Sequence, residues 1–101
     1  MSSESGVPIL LFFTASTSGP ARRMESLLAH LARKERGRLS IARIDTLQSP
    51  EWVERLQIEE IPTLVLVKGK RPVARLDGRA SAPQIERMLA PHLAPGEKQA
   101  V

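Results

Sequence analysis

The residues best placed to do chemistry lie in Thr17-Ser18-Gly19-Pro20-Ala21, directly after an apolar run and at the head of a helical pattern. A serine hydroxyl at a helix start is a candidate nucleophile, and the free backbone N–H groups of such a turn can attract an anion. Arg22 and Arg23 follow in the first turn and would add to that attraction. Nucleophilic serine needs an adjacent general base, and the only histidines are His30 and His92. His30 falls several helical turns beyond Ser18 and His92 closes the last helical segment, so neither is an evident partner. A capping role for Ser18, accepting a hydrogen bond from one of the first amides of the helix, accounts for the residue without catalysis.

Other constellations carry less. Glu51, Glu54, Glu59 and Glu60 gather on one short segment but lack a partnering histidine or a glycine-rich calcium loop, so they read as a solvated acidic face rather than a metal site. Lys68, Lys70, Arg71, Arg75 and Arg79 surround a hairpin pattern, where edge charges prevent sheets from pairing. The chain has no cysteine, which removes disulfides, thiolate metal ligands and thiol nucleophiles together. No cofactor and no metal is expected.

The formal net charge of +4 permits contact with nucleic acid, but the basic residues are spread along the chain. Only Phe12, Phe13 and Trp52 are aromatic, too few to build a base-stacking platform. A nucleic-acid accessory role therefore ranks last. The apolar run from Val7 to Phe13 is far shorter than the roughly 20 residues of a membrane span. Met1 to Gly6 carries only Glu4 and no basic residue, a poor signal peptide. The expectation is a cytoplasmic protein without a membrane partner.

The elements that must position these residues follow from periodicity. At 101 residues the chain suits one domain, expected over 7–94 between flexible ends at 1–6 and 95–101. VPILLFFT, from Val7 to Thr14, reads as a strand buried on both faces. Pro20 to Arg36 sets Met24, Leu27, Leu28, Leu31 and Ala32 on one helical face, with Gly37 after its end. Leu39 to Asp45 alternates as a strand, and Ser49-Pro50 opens a short helix with Ser49 as its cap. Thr63 to Lys68 is a second buried strand, and Pro72 to Leu76 returns beside it after the Gly69-Lys70-Arg71 turn. Ser81-Ala82-Pro83-Gln84 is a capping box opening a helix with Ile85, Met88, Leu89 and Leu93 inward. The order β-α-β-α-β-β-α predicts an α/β chain of three layers, α/β/α, around a mixed four-stranded sheet.

Three landmarks on this frame resemble the thioredoxin family: Ser18-Gly19-Pro20-Ala21 with Arg22-Arg23-Met24, Ile61-Pro62-Thr63-Leu64, and Gly78. The family carries Cys-Gly-Pro-Cys at a strand-to-helix turn, facing an Ile-Pro-Thr loop with a cis proline. The resemblance covers about residues 7–93 and implies the thioredoxin-like fold, without the extra strand and helix that full-length thioredoxins carry at the front. Ser18 and Ala21 stand where the family has its two cysteines, and Thr17 replaces the tryptophan before the first. Phe12 occupies the position of a buried aspartate that assists proton transfer, and Ile41 that of its lysine partner. An engineered double replacement of the cysteines would account for Ser18 and Ala21, but not for Phe12 and Ile41.

The resemblance therefore implies a redox-inactive member, because dithiol–disulfide exchange has no sulfur to run on. It also implies a recognition surface formed by Thr17, Ser18, Gly19, Pro20, Ala21, Ile61, Pro62 and Thr63, where thioredoxins pair with an extended substrate peptide. Apolar Ile61, Pro20 and Pro62 would supply contact. Two readings of Pro62 stay open: it shapes the strand entrance, or, if cis, it leaves the Ile61 backbone exposed for strand addition. The leading expectation is a protein- or peptide-binding module. The alternative is a part in thiol-redox homeostasis through a partner.

Overall fold

The apolar run becomes the central strand β1 (Ile9–Thr14), buried from Leu10 to Thr14. It starts two residues later than the run, because Pro8 has no N–H to give; its carbonyl instead accepts from the Ser40 amide at 3.0 Å. In the computed structural model, which describes residues 7–15 and 18–93, the chain continues through α1 (Gly19–Lys34), β2 (Ser40–Asp45), α2 (Pro50–Arg55), β3 (Thr63–Lys68), β4 (Arg71–Asp77) and α3 (Ala82–Leu89), then a 3₁₀ turn at Ala90–His92. The flexible ends expected at 1–6 and 95–101 lie outside the described residues, as do residue 94 and Thr17.

The sheet order is β2-β1-β3-β4. β1 and β2 run parallel, as a helical crossover between them requires, and β3 is antiparallel to both of its neighbours. Strand side chains alternate between faces, and this divides the core. On one face Leu10, Phe12, Leu64 and Leu66 meet Ala21, Met24, Leu28 and Leu31 of α1, and Ile85 and Leu89 of α3. On the other, Leu11, Phe13 and Val65 meet Ile58 and, more loosely, Val53 and Leu56 of the α2 region. The three expected layers are present.

Departures from the expected elements have local causes. β4 extends to Arg71 and Asp77, with a bulge opposite Leu66/Val67 that lets the chain pass Pro72. α1 ends at Lys34, where the turn is closed by Glu35, whose buried carboxylate pairs with Arg38 at 2.7 Å. Gly37 at φ +86 then reverses the chain, a conformation costly for a residue with a Cβ. Ser49 stands at the N-cap of α2, but its side chain makes no capping bond; its carbonyl accepts from Trp52 and Val53 instead. Ser81 and Gln84 form both bonds of the capping box on α3. Leu93 reaches the core only after the 3₁₀ turn and is half-buried there. No helix among the described residues is long and apolar enough to cross a membrane.

Candidate functional site

The pairing of β1 with β3 builds the site. These strands are antiparallel, with Phe13 opposite Thr63, so the end of β1 lies beside the start of β3. Ser18, at the start of α1, and the loop Glu60–Pro62 therefore lie at the same end of the sheet. Gly78, just past β4, joins them, because β4 ends beside the start of β3 and the Gly78 amide donates to the Pro62 carbonyl at 2.8 Å.

Ser18 is the N-cap of α1. Its backbone is extended, and its Oγ accepts from the Ala21 amide at 3.1 Å. Its amide donates to the Ala15 carbonyl at 3.0 Å, and its carbonyl accepts from Arg22 at 3.1 Å. The hydroxyl thus satisfies an amide that a helix start would otherwise leave unpaired. Neither His30 nor His92 bonds it. Ala21, at the second cysteine position, is 0% exposed and packs into the core. Gly19, Arg22 and Arg23 flank the turn, with Glu25 near them held by Arg43 at 2.9 Å.

The second arm is Ile61-Pro62-Thr63. The peptide bond between Ile61 and Pro62 is cis. Pro62 and Thr63 are buried, and the Thr63 hydroxyl donates to the Glu60 carbonyl at 2.8 Å, tying the loop to its strand. Ile61 is half-buried and packs against both core clusters. Among the described residues, neither its N–H nor its C=O forms a hydrogen bond.

Of the eight residues singled out from sequence, the structure brings Ser18, Gly19 and Ile61 to the surface at one end of the sheet. Ala21, Pro62 and Thr63 are buried, which corrects the expectation that these three side chains would be open to a partner. The backbone of Pro20 occupies the first turn of α1, and Thr17 lies outside the described residues. Phe12 is 2% exposed and Ile41 packs on the same cluster, so both positions where the resemblance implied an ion pair are apolar, while Arg43, opposite Phe12 on β2, pairs with Glu25 of α1. Replacing a buried ion pair by packed apolar groups removes a desolvation cost.

Two residues have roles that the sequence reading did not assign them. Arg75 is not a free edge charge: its Nη1 donates to the Leu56 carbonyl at 2.8 Å and its Nη2 to Gln57 at 3.3 Å, with Nε on Asp77 at 3.0 Å. It staples the end of α2, where Gln57 has φ +53, and so steadies the chain entering Ile61. The only sequence signal was the Arg-x-Asp spacing on one strand face. Glu60 is the other: a Cβ on Gly78 would come within 2.9 Å of its Oε1, so the carboxylate lies over that glycine at the site's edge. Trp52 is 40% exposed, a boundary residue with the Arg55 guanidinium 5.4 Å from its ring centre. No group of acidic or histidine side chains among the described residues could hold a metal ion.

Comparison with known proteins agrees with this geometry. The thioredoxin family model matches residues 2–91. A thioredoxin of Alicyclobacillus acidocaldarius is 36% identical over 83 residues, covering 82% of this chain and 79% of that protein. A thioredoxin-like protein of Synechocystis is 34% identical over 82 residues, covering 81% and 78%. The crystal structure of Fasciola hepatica thioredoxin superposes with a TM-score of 0.80 at 25% identity, covering 86% of this chain and 82% of that one. With the strand-to-helix turn at Ser18, the Ile61–Pro62 loop and the sheet order all in place, this chain belongs to the thioredoxin family.

Proposed function

We propose that this domain binds an extended segment of a protein partner at the Ser18 turn and the Ile61 loop, and does so without thiol chemistry. The observation that carries the reading is the Ile61 backbone, whose N–H and C=O have no partner among the described residues. Unpaired backbone groups beside a strand start are what an added strand pairs with. Redox inactivity follows from composition, since a chain without cysteine can neither form nor resolve a mixed disulfide. The Ser18 hydroxyl is engaged as a cap and lacks a base, so it does not substitute as nucleophile. The proposed setting is the cytoplasm.

The second reading, a part in thiol-redox homeostasis through a partner, draws on relatives named thioredoxins. It differs in what the partner is rather than in what this chain does. The basic hairpin supports neither it nor a nucleic-acid role, because Lys68 donates to the His92 carbonyl and Arg75 to Leu56 and Gln57.

Affinity capture with mass-spectrometric identification tests the proposal. The unmodified domain is expected to retain a defined partner that Ile61→Ser with Pro62→Ala fails to retain, while circular dichroism of the double variant stays native. Equal capture by both would overturn it. An insulin-reduction assay with dithiothreitol is expected to give the rate of buffer alone, and turnover above that rate would refute inactivity.

A further inference from the structure

The outer edge of β2 is built differently from the outer edge of β4. β4 carries Pro72, a bulge and the charge of Arg71, which are devices that keep other strands away. β2 runs Ser40-Ile41-Ala42-Arg43-Ile44-Asp45 with no proline and no bulge, and among the described residues nothing lies on its outer side. Its charges are engaged: Arg43 pairs with Glu25 of α1 at 2.9 Å, and the Asp45 carboxylate accepts from the Leu47 amide at 2.8 Å. Ile41, Ala42 and Ile44 are only half-buried there.

The direction of the backbone groups follows from the parallel pairing. The amides of Ser40 and Thr46 donate inward, to Pro8 and Thr14 of the β1 chain, both at 3.0 Å. Residues alternate in a strand, so the even positions face β1, and Ile41 and Arg43 turn both N–H and C=O outward. The outward Asp45 carbonyl already accepts from Gln48. Among the described residues, two adjacent outward residues, and no more, are therefore fully free.

We propose that β2 pairs with β2 of a second copy of this chain, antiparallel about a two-fold axis at Ala42, making one continuous eight-stranded sheet. This register sets Ile41 of each copy opposite Arg43 of the other, as hydrogen-bonded pairs that exchange both bonds. It uses every free backbone group on the edge. Ala42 meets itself on the axis as the close, non-hydrogen-bonded pair, and Ser40 lies opposite Ile44. Shifting the axis one residue to Arg43 would set two arginines face to face and call on the occupied Asp45 carbonyl. The edge is thus complementary to its own copy in one register, which argues for a second copy over an unrelated strand. It leaves the Ile61 loop, at the end of the sheet, free for its own partner.

The absence of cysteine makes the register testable. Antiparallel non-hydrogen-bonded pairs have Cα atoms about 4.5 Å apart, within the range a disulfide spans. Ala42→Cys, oxidised with glutathione disulfide, is expected to give a covalent dimer rapidly. Ser40→Cys and Ile44→Cys should each stay monomeric alone and cross-link when mixed. Sedimentation of the unmodified chain should show a concentration-dependent dimer, lost in Arg43→Pro, which removes an outward amide and spares the inward ladder. Dimer formation should also slow amide exchange at Ile41 and Arg43. A monomer at every concentration overturns the proposal, whether those amides exchange fast or are already protected by the chain's own residues 1–6. A dimer in which Ser40→Cys cross-links as fast as Ala42→Cys overturns it too.

Discussion

Phe12→Asp will leave the domain largely unfolded at neutral pH. The ring is 2% exposed and packs with Leu10, Leu64 and Leu66 beneath α1 and α3. Removing a buried aromatic costs about 3–5 kcal/mol, and a carboxylate left in its place adds several more unless it is neutralised or paired. Total stability of a small domain is about 5–15 kcal/mol, so the sum consumes most of it. Arg43 lies opposite Phe12 on β2 but is already paired with Glu25 at 2.9 Å, and Ile41 on the same cluster is apolar, so among the described residues the new carboxylate meets no free counter-charge. Burial raises the carboxyl's pKa in the folded state, so stability of the variant is expected to rise as pH falls and the group protonates. Adding Ile41→Lys should recover part of the loss at neutral pH. Thermal unfolding followed by circular dichroism reads each step, and a melting temperature for Phe12→Asp within a few degrees of the parent would show that this position is not the packed site described.

Ser18→Cys with Ala21→Cys is expected to create disulfide reductase activity where none exists. The Ser18 Oγ already sits at the helix start, accepting from the Ala21 amide, and a sulfur there meets the same N–H and the same positive helix end. Both stabilise a thiolate and lower the thiol's pKa below its ordinary value of about 8.5. The second sulfur enters a site that is 0% exposed, and overpacking there costs about 1–3 kcal/mol. The double variant should form an intramolecular disulfide and reduce insulin in the presence of dithiothreitol. Ser18→Cys alone should stop at a mixed disulfide, having no resolving thiol. Failure of the double variant to form its disulfide, although folded, would mean that the turn at Ser18 does not hold the geometry that the capping bond describes.

The sequence was legible where local rules and long-range packing agree. The buried run before Thr14, the capping box at Ser81 and the apolar face of α1 each follow from period and cap chemistry, and each is present. Ser49 takes the expected N-cap position before Pro50, but its side chain makes no cap bond, because that bond depends on side-chain direction. The place of the candidate residues in the fold was legible, and their exposure was not. Ser18, Ala21, Ile61 and Pro62 come together as the landmarks suggest, yet which of them face solvent is set by β1–β3 pairing and by the depth of the α1 packing. Arg75 shows the limit most clearly. Its partners are carbonyls of Leu56 and Gln57, far away in sequence, and no pattern of residue types announces a bond to a carbonyl.

The central claim is that recognition runs through the backbone of Ile61 and needs no sulfur. Amide hydrogen exchange at Ile61, measured with and without a captured partner in the presence of excess dithiothreitol, tests it most directly. Strand addition predicts that the Ile61 amide exchanges fast in the free domain and is strongly slowed in the complex, with the reductant making no difference. An Ile61 amide that exchanges equally fast in both states, with protection appearing elsewhere or vanishing under reductant, would contradict it.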